Sequence, residues 1–213
     1  MQAATQQGVL SSQFFLDDKR LVGGVDGKPN GASRTAFLTA CTAAETLGKE
    51  WLATNPRNAD ALLALTVIAG MRADYASLID KRLFESLKRI RESEGYATRL
   101  LAVKPDAADA YLALGAGNYI IGNLPAHKRF FLWFTGIQGD REAGMNQLKT
   151  AATRGDYLRP FAKILLALAA LREGQPGLAR TQLEELAAEF PQNPLFAREL
   201  AIQRNSTPRG ATR

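Results

Sequence analysis

Three proline-centred junctions constrain the fold of this 213-residue chain more than any other feature of its sequence. They read Asn55-Pro56-Arg57-Asn58, Lys104-Pro105-Asp106-Ala107 and Phe190-Pro191-Gln192-Asn193. Proline has no backbone N–H and restricts the residue before it, so each junction predicts the end of a helix. The Asp or Asn that follows can accept the unpaired N–H groups of the next helix. The pattern therefore predicts helices joined by short polar turns.

The sequence between these junctions is helical in pattern. From Ser33 onward, Ala and Leu dominate, and apolar residues recur at the spacing of a helix with one buried face. We therefore predict helix for most residues between Ser33 and Gln203, without β-sheet. Residues 1–32 contain a glycine-rich stretch and are predicted to be irregular. Residues 33–204 are predicted to form one helical-repeat domain, and residues 205–213 a basic C-terminal tail.

Residues 160–193 carry a spacing of small and large side chains that is typical of one kind of repeat. The positions concerned are Leu166, Ala167, Gly174, Ala179, Leu183, Leu186 and Pro191. The segment resembles a tetratricopeptide repeat (TPR) of about 34 residues, although Lys163 stands where an aromatic residue is usual. Longer units of the same pattern begin at Ala59 and Ala108. The chain as a whole resembles bacterial TPR proteins with enlarged central repeats.

The resemblance implies an α-α superhelix, a TPR-like solenoid whose concave face is lined by the first helix of each pair. It also implies a non-enzymatic scaffold that binds a protein or peptide. Placing the repeats in register gives a set of partner-binding candidates. They are Leu63, Val67, Leu112, Asn118, Tyr119, Ile164, Leu168 and Arg172, with Ile120 and Leu171 at equivalent positions. Because most of these residues are apolar, we expect no strong preference for peptides with an acidic C-terminus.

Residue counts argue against most catalytic and metal chemistry. Cys41 is the only cysteine and His127 the only histidine. A single residue of each type cannot build a disulfide or a Cys- and His-rich zinc site. No nucleophile or acid is recognisable beside His127. We therefore predict no enzyme, with no catalytic, cofactor-binding or metal-ligating residues.

The net charge of +6 gives only a weak argument for nucleic acid as a partner. Arg204, Arg209 and Arg213 supply half of that charge, after the last acidic residue, Glu199. Residues 74–104 are predicted as one continuous helix, in which basic and acidic side chains alternate. Mixed signs favour a solvated face with salt bridges over a surface that binds nucleic acid.

Two segments, roughly residues 73–90 and 123–138, are longer than a repeat requires and rich in large apolar side chains. The second contains a cluster of four aromatic residues, Phe130, Phe131, Trp133 and Phe134, preceded by Lys128 and Arg129. We favour packing of both segments onto the concave face, which would bury Trp133. Two alternatives stay open. In the first alternative, the chain is a structural domain of a larger assembly, and its inserted segments fill the groove. In the second, residues 128–134 form an aromatic and basic surface for a membrane or partner.

The chain contains no uninterrupted apolar run long enough to span a membrane, so we expect no transmembrane segment. The first residues lack a charged start followed by an apolar run, so no export signal is visible in the sequence, and an export signal that has already been removed stays an open alternative. These two expectations leave the compartment open between cytoplasm and periplasm.

Overall fold

The computed structural model describes residues 31–134 and 138–206. The predicted irregular segment (residues 1–32) and basic tail (residues 205–213) lie outside the described residues, except for residues 31, 32, 205 and 206. The described part contains nine α-helices and no strand, which confirms the prediction of an all-α fold. The helices are α1 (Gly31–Thr54), α2 (Ala59–Asp74), α3 (Leu83–Val103), α4 (Ala110–Gly122), α5 (Ala126–Phe134), α6 (Arg141–Arg154), α7 (Arg159–Arg172), α8 (Pro176–Glu189) and α9 (Pro194–Ser206).

The proline junctions end and restart helices as predicted. The side chain of Asn58 accepts a hydrogen bond from the backbone N–H of Ala61 over 3.0 Å at the start of α2. Asn193 accepts in the same way from the N–H of Leu195 over 3.1 Å at the start of α9. Each side chain replaces a backbone partner that the first turn of a helix lacks.

The chain divides into two compact units between Gly117 and Asn118, within α4. In the first unit, α1 packs against α2 and α2 against α3. One buried cluster joins α1 to α2 and contains Phe37, Cys41, Ile68 and Tyr75, with the Phe37 and Tyr75 rings stacked at 5.1 Å. A second cluster joins α2, α3 and the start of α4 through Leu62, Ala97, Leu100 and Ala110. Consecutive helices therefore bury one another's apolar faces.

The second unit follows the same order of packing. Helix α6 packs against α7, α7 against α8, and α8 against α9. The positions predicted from the TPR spacing are buried: Leu166, Ala167, Ala179, Leu183 and Leu186 are all at most 7% exposed. Gly174 occupies the turn between α7 and α8 with a φ of 67°, a conformation that favours glycine. The sequence register of this unit thus predicts its core.

The prediction of one continuous helix over residues 74–104 is wrong. A π-helical turn, Tyr75–Ile79, ends the helical path of α2, and α3 begins at Leu83. Lys81 has a φ of 54°, in the left-handed region, and the N–H of Arg82 donates to the carbonyl of Ala76 over 2.7 Å. This arrangement closes the helix end as a glycine normally does. No Gly or Pro marks the break in the sequence, which is why the helical pattern concealed it.

One helical stretch, Ala59–Ile79, is long and apolar enough to cross a membrane by length and composition alone. The core helix of a water-soluble protein meets the same two criteria. Here Leu62, Leu65 and Ile68 are buried, and α2 packs against both α1 and α3. The stretch is therefore no clear sign of a membrane span.

Candidate binding surfaces

A glycine contact closes the base of the inserted segment that carries α5. A Cβ atom added to Gly139 would lie 2.6 Å from Cβ of Ile121 and would also overlap the backbone nitrogen of Gly122. A Cβ on Gly122 would lie 2.7 Å from the backbone nitrogen of Arg141. The backbone at Gly122 and the backbone at Gly139 can approach this closely only because neither residue has a side chain. The inserted segment therefore begins at Gly122 and ends at Gly139. The segment is thus an excursion with adjacent ends.

A polar depression of about 720 Å³ lies at the base of this excursion. Its lining consists of Asn118, Gly122, Arg129, Gln138, Gly139, Asp140 and Arg141. Among these residues, the sequence indicated Asn118 as a partner-binding candidate and Arg129 as part of the alternative aromatic and basic surface. The signal that could have found the others is the pair of glycines, Gly122 and Gly139, which bound a stretch containing Lys128 and Arg129 and followed by Arg141.

Hydrogen bonds and ion pairs fix the walls of the depression. Nη1 of Arg129 donates to the carbonyl of Gly122 over 3.1 Å, and Nδ2 of Asn118 donates to Oε1 of Gln147 over 2.9 Å. The carboxylate of Asp140 accepts the N–H groups of the first turn of α6 and so caps that helix. Nε of Arg141 lies 3.6 Å from a carboxylate oxygen of Glu173. Arg129 and Arg141 thus place two guanidinium groups in the lining of the depression, together with the carboxylate of Asp140.

Two aromatic residues of α5, Phe130 and Trp133, are more exposed than we predicted. Phe130 is 58% and Trp133 56% exposed, so the expectation that Trp133 would be buried is wrong. In the other inserted segment, Tyr75 is buried, but Phe84 is 84% exposed.

The predicted partner-binding residues divide between the two units. Leu63, Val67 and Leu112 lie in the first unit and are half-buried, with Leu63 packed against the cluster around Leu100. Asn118, Tyr119, Ile164, Leu168 and Arg172 lie in the second unit. Of these, Ile164 and Leu168 are half-buried on α7, and Arg172 is exposed at its end. Ile164, Leu168 and Arg172 follow one another at intervals of four residues and so share one face of the helix.

Tyr119 is an interior residue rather than a surface residue. It is 5% exposed, and its hydroxyl donates to the carboxylate of Glu173 over 3.1 Å. Burial, together with that carboxylate, raises the pKa of Tyr119 to about 12. The side chain holds the end of α4 against α7, and its register position alone could not distinguish this role from partner binding.

Lys163, which stands where the resemblance to TPR repeats would place an aromatic residue, forms ion pairs instead. It is 7% exposed, and its Nζ lies 3.1 Å from Glu185 and 3.3 Å from Glu189, both on α8. Arg159 lies 3.1 Å from Glu189 as well. The two cations lower the pKa of Glu189, the hydrogen bond from Arg159 most strongly. Helices α7 and α8 are therefore joined by charge where a ring would otherwise pack.

In the first unit, the carboxylate of Glu45 connects three helices. Its oxygens lie 3.1 Å from Arg72 on α2 and 3.7 Å from Arg89 on α3, and Lys49 on α1 also pairs with it. Arg89 forms further ion pairs with Glu85 and Glu92 of its own helix. The predicted salt bridges of the mixed-charge helix are thus confirmed within α3, and the cross-helix pairs to Glu45 are new.

No metal centre is assembled from the described residues, among which no three His, Cys, Asp or Glu side chains are grouped suitably. His127 is an exposed residue of α5. Cys41 is fully buried between α1 and α2, and burial raises the pKa of its thiol. A buried, protonated thiol is a poor nucleophile.

Comparison of the chain with family models, curated proteins and solved structures finds no match.

Proposed function

We propose that this chain is a non-enzymatic helical-repeat scaffold of the TPR kind that binds a protein or peptide. The observation that carries the proposal is packing in chain order, of α1 on α2 and α2 on α3 in the first unit, and of α6 on α7, α7 on α8 and α8 on α9 in the second. In such packing, successive helices expose equivalent faces side by side, and repeat proteins bind their partners on the surface that these faces form. The small residues Ala167 and Ala179 are buried at a helix contact, as the TPR resemblance implies.

The surface proposed for the partner in the second unit is the face of α7 that carries Ile164, Leu168 and Arg172. Ile164 packs partly against the core cluster, so its exposed part is held in place without being buried. Phe161, one turn earlier, is 43% exposed and extends the apolar surface. A rigid apolar row with a cation at one end suits an amphipathic helix or an extended apolar peptide.

A peptide array probed with the purified chain tests this function. The array carries amphipathic helical peptides, extended apolar peptides and peptides with acidic C-termini. We expect binding to the first two kinds and weaker binding of Leu168→Ser by about tenfold, because truncating an anchor in a binding surface commonly costs 1 kcal/mol or more. Leu47→Ser serves as the matched control, since Leu47 is a 50% exposed leucine on α1, outside the proposed surface.

Two outcomes would count against the proposal. The first is the absence of any peptide that both binds the chain and loses affinity in Leu168→Ser but not in Leu47→Ser. The second is tight, salt-sensitive binding confined to acidic C-terminal peptides, since that specificity requires more cationic side chains than the proposed surface offers.

The alternative of a structural domain requires the two inserted segments to fill its groove with their large apolar side chains. Tyr75 is buried, but it stacks on Phe37 of α1. Phe84, Phe130 and Trp133 are all more than half exposed. Their exposure favours the binding function over that alternative.

A further inference from the structure

Helix α5 carries an exposed aromatic surface that the proposed peptide-binding face does not include. Phe130 and Trp133 are three residues apart and so lie on neighbouring positions of one helix face. Each side chain is more than half exposed, at 58% and 56%. Adjacent exposed aromatic residues on one face mark a contact site more often than an ordinary surface.

The charge around this surface is positive. No acidic residue occurs from Ala110 to Gly139, a range that includes all of α5. Lys128 and Arg129 directly precede Phe130, and Arg129 and Arg141 both line the polar depression at the base of the excursion. Two carboxylates lie close to these cations: that of Asp140 lines the depression and caps the first turn of α6, and that of Glu173 lies 3.6 Å from Nε of Arg141.

The composition of α5 is that of an interfacial helix. Four of its nine residues are aromatic, whereas aromatic residues make up 8% of the chain. Trp and Phe beside Lys and Arg are typical of helices that lie in the headgroup region of a bilayer. A protein partner would need a matching pocket for each ring, whereas a bilayer accepts rings at any lateral position.

We propose that α5 and the adjoining depression form a docking surface for an anionic phospholipid membrane. Phe130 and Trp133 enter the boundary between headgroups and acyl chains. The guanidinium groups of Arg129 and Arg141 bind headgroup phosphates, for which their planar geometry is well suited. The interaction requires no change in the α6–α9 core, because the ends of the excursion are held together at Gly122 and Gly139.

This surface is independent of the proposed peptide-binding function, since it uses no residue of α7. A chain that binds peptides without binding membranes, or the reverse, would support one proposal and contradict the other. If both hold, the protein presents its α7 face while resting on a bilayer.

Co-sedimentation of the full chain with vesicles tests the proposal. One set of vesicles contains phosphatidylcholine alone, and the other contains phosphatidylcholine with phosphatidylserine. We expect partitioning at least about tenfold stronger onto the anionic set, and weaker in high salt, because each cation near an anionic surface contributes to binding. In a Trp51→Phe background, Trp133 is the only tryptophan, and its emission should shift to the blue on those vesicles.

Matched variants assign the effect to α5. Phe130→Ser combined with Trp133→Ser should lower partitioning by about tenfold or more, since both apolar anchors are lost. Leu47→Ser combined with Trp51→Ser removes an equally exposed pair on α1 and should leave partitioning unchanged. Arg129→Gln and Arg141→Gln should each weaken binding about fivefold, whereas the Lys variants retain most of it. Circular dichroism checks that each variant is folded, and Trp133→Phe, which keeps an aromatic ring, should retain binding.

Four results would overturn the assignment. One is equal sedimentation with neutral and anionic vesicles, and another is unchanged partitioning of the Phe130→Ser, Trp133→Ser variant. The third is saturable binding of inorganic phosphate at Arg129 and Arg141 without vesicle binding, which would identify a site for a soluble anion. Self-association of the chain that depends on Phe130 and Trp133, without vesicle binding, would assign the surface to a second copy instead.

Discussion

The hydroxyl of Tyr119 donates a hydrogen bond to a carboxylate oxygen of Glu173 over 3.1 Å. Tyr119 lies in the last turn of α4, and Glu173 is the residue that ends α7. The same carboxylate oxygen lies 3.6 Å from Nε of Arg141, the first residue of α6. One carboxylate therefore joins three helices of the second unit at the base of the excursion that carries α5.

Tyr119→Phe tests the contribution of this hydrogen bond. The variant leaves the carboxylate of Glu173 with one donor fewer, and we expect the free energy of unfolding to fall by about 1 kcal/mol near neutral pH. Urea unfolding followed by circular dichroism measures the change. Tyr157→Phe is the matched control, since Tyr157 is 75% exposed and its replacement should have little effect on stability.

The raised pKa of Tyr119 predicts a specific loss of stability at alkaline pH. The folded pKa of about 12 lies above the ordinary value of 10.0, so the neutral hydroxyl is favoured in the folded state. Its contribution is complete below pH 10 and is lost as the pH rises through 12. We expect the stability difference between the native chain and Tyr119→Phe to shrink over this range. A difference that stays constant from pH 9 to 12 would contradict the shift.

Gly139→Ala should be strongly destabilising, because the added methyl group meets backbone atoms rather than a movable side chain. Besides Ile121 Cβ at 2.6 Å, the carbonyl carbon of Ile121 would lie 2.8 Å away. Overpacking of this kind costs typically about 1–3 kcal/mol, and we expect a value at the upper end. Thermal unfolding measures it. Gly177→Ala provides the contrast, since no atom lies within 4 Å of the added Cβ and alanine is the better helix former, by about 1 kcal/mol.

Glu45→Gln should weaken the first unit in a pH-dependent way. Burial raises the pKa of Glu45, but Lys49, Arg72 and Arg89 together more than offset that effect, so the pKa lies below its usual value of 4.5. A lowered pKa stabilises the folded state above pH 4.5, and this stabilisation is lost as the pH falls through the folded value. We expect Glu45→Gln to cost about 1 kcal/mol at neutral pH.

Chemical unfolding at neutral and acidic pH checks this expectation. The difference between the native chain and Glu45→Gln should decrease as the pH falls below 4.5, and high salt should reduce it at neutral pH. Glu50→Gln is the control on the same helix, because Glu50 is an exposed carboxylate of α1. Equal effects of the two substitutions would show that Glu45 contributes no more than a surface charge.

The helical class and the core register could be predicted from the sequence because both depend on local pattern. Proline ends a helix by the same steric mechanism in any context, and Asn58 and Asn193 cap the next helix as expected. The spacing of Leu166, Ala179 and Leu186 fixes which helix faces are buried. These features require no knowledge of distant parts of the chain.

The candidate surfaces could not be predicted in the same way, since an amphipathic helix has the same pattern whether its apolar face is buried or exposed. Trp133 was expected in the core and is more than half exposed, whereas Tyr119 was expected at a partner surface and is buried. Both outcomes depend on how neighbouring helices dock. The contact between Gly122 and Gly139 is likewise a tertiary feature that their sequence separation conceals.

The break between α2 and α3 gives a final prediction, because Lys81 occupies a left-handed conformation that a side chain disfavours. Its φ of 54° brings Cβ close to the following carbonyl oxygen, which costs roughly 1 kcal/mol relative to glycine. Lys81 is exposed, so its replacement removes no core contact. Lys81→Gly should therefore raise the free energy of unfolding by up to about 1 kcal/mol, offset in part by the greater flexibility of glycine in the unfolded chain. Lys81→Ala, which removes the charge but retains Cβ, should not stabilise the protein. Equal thermal unfolding temperatures for the Gly and Ala variants would mean that this turn does not hold its left-handed conformation in solution, and that α2 and α3 are joined in another way.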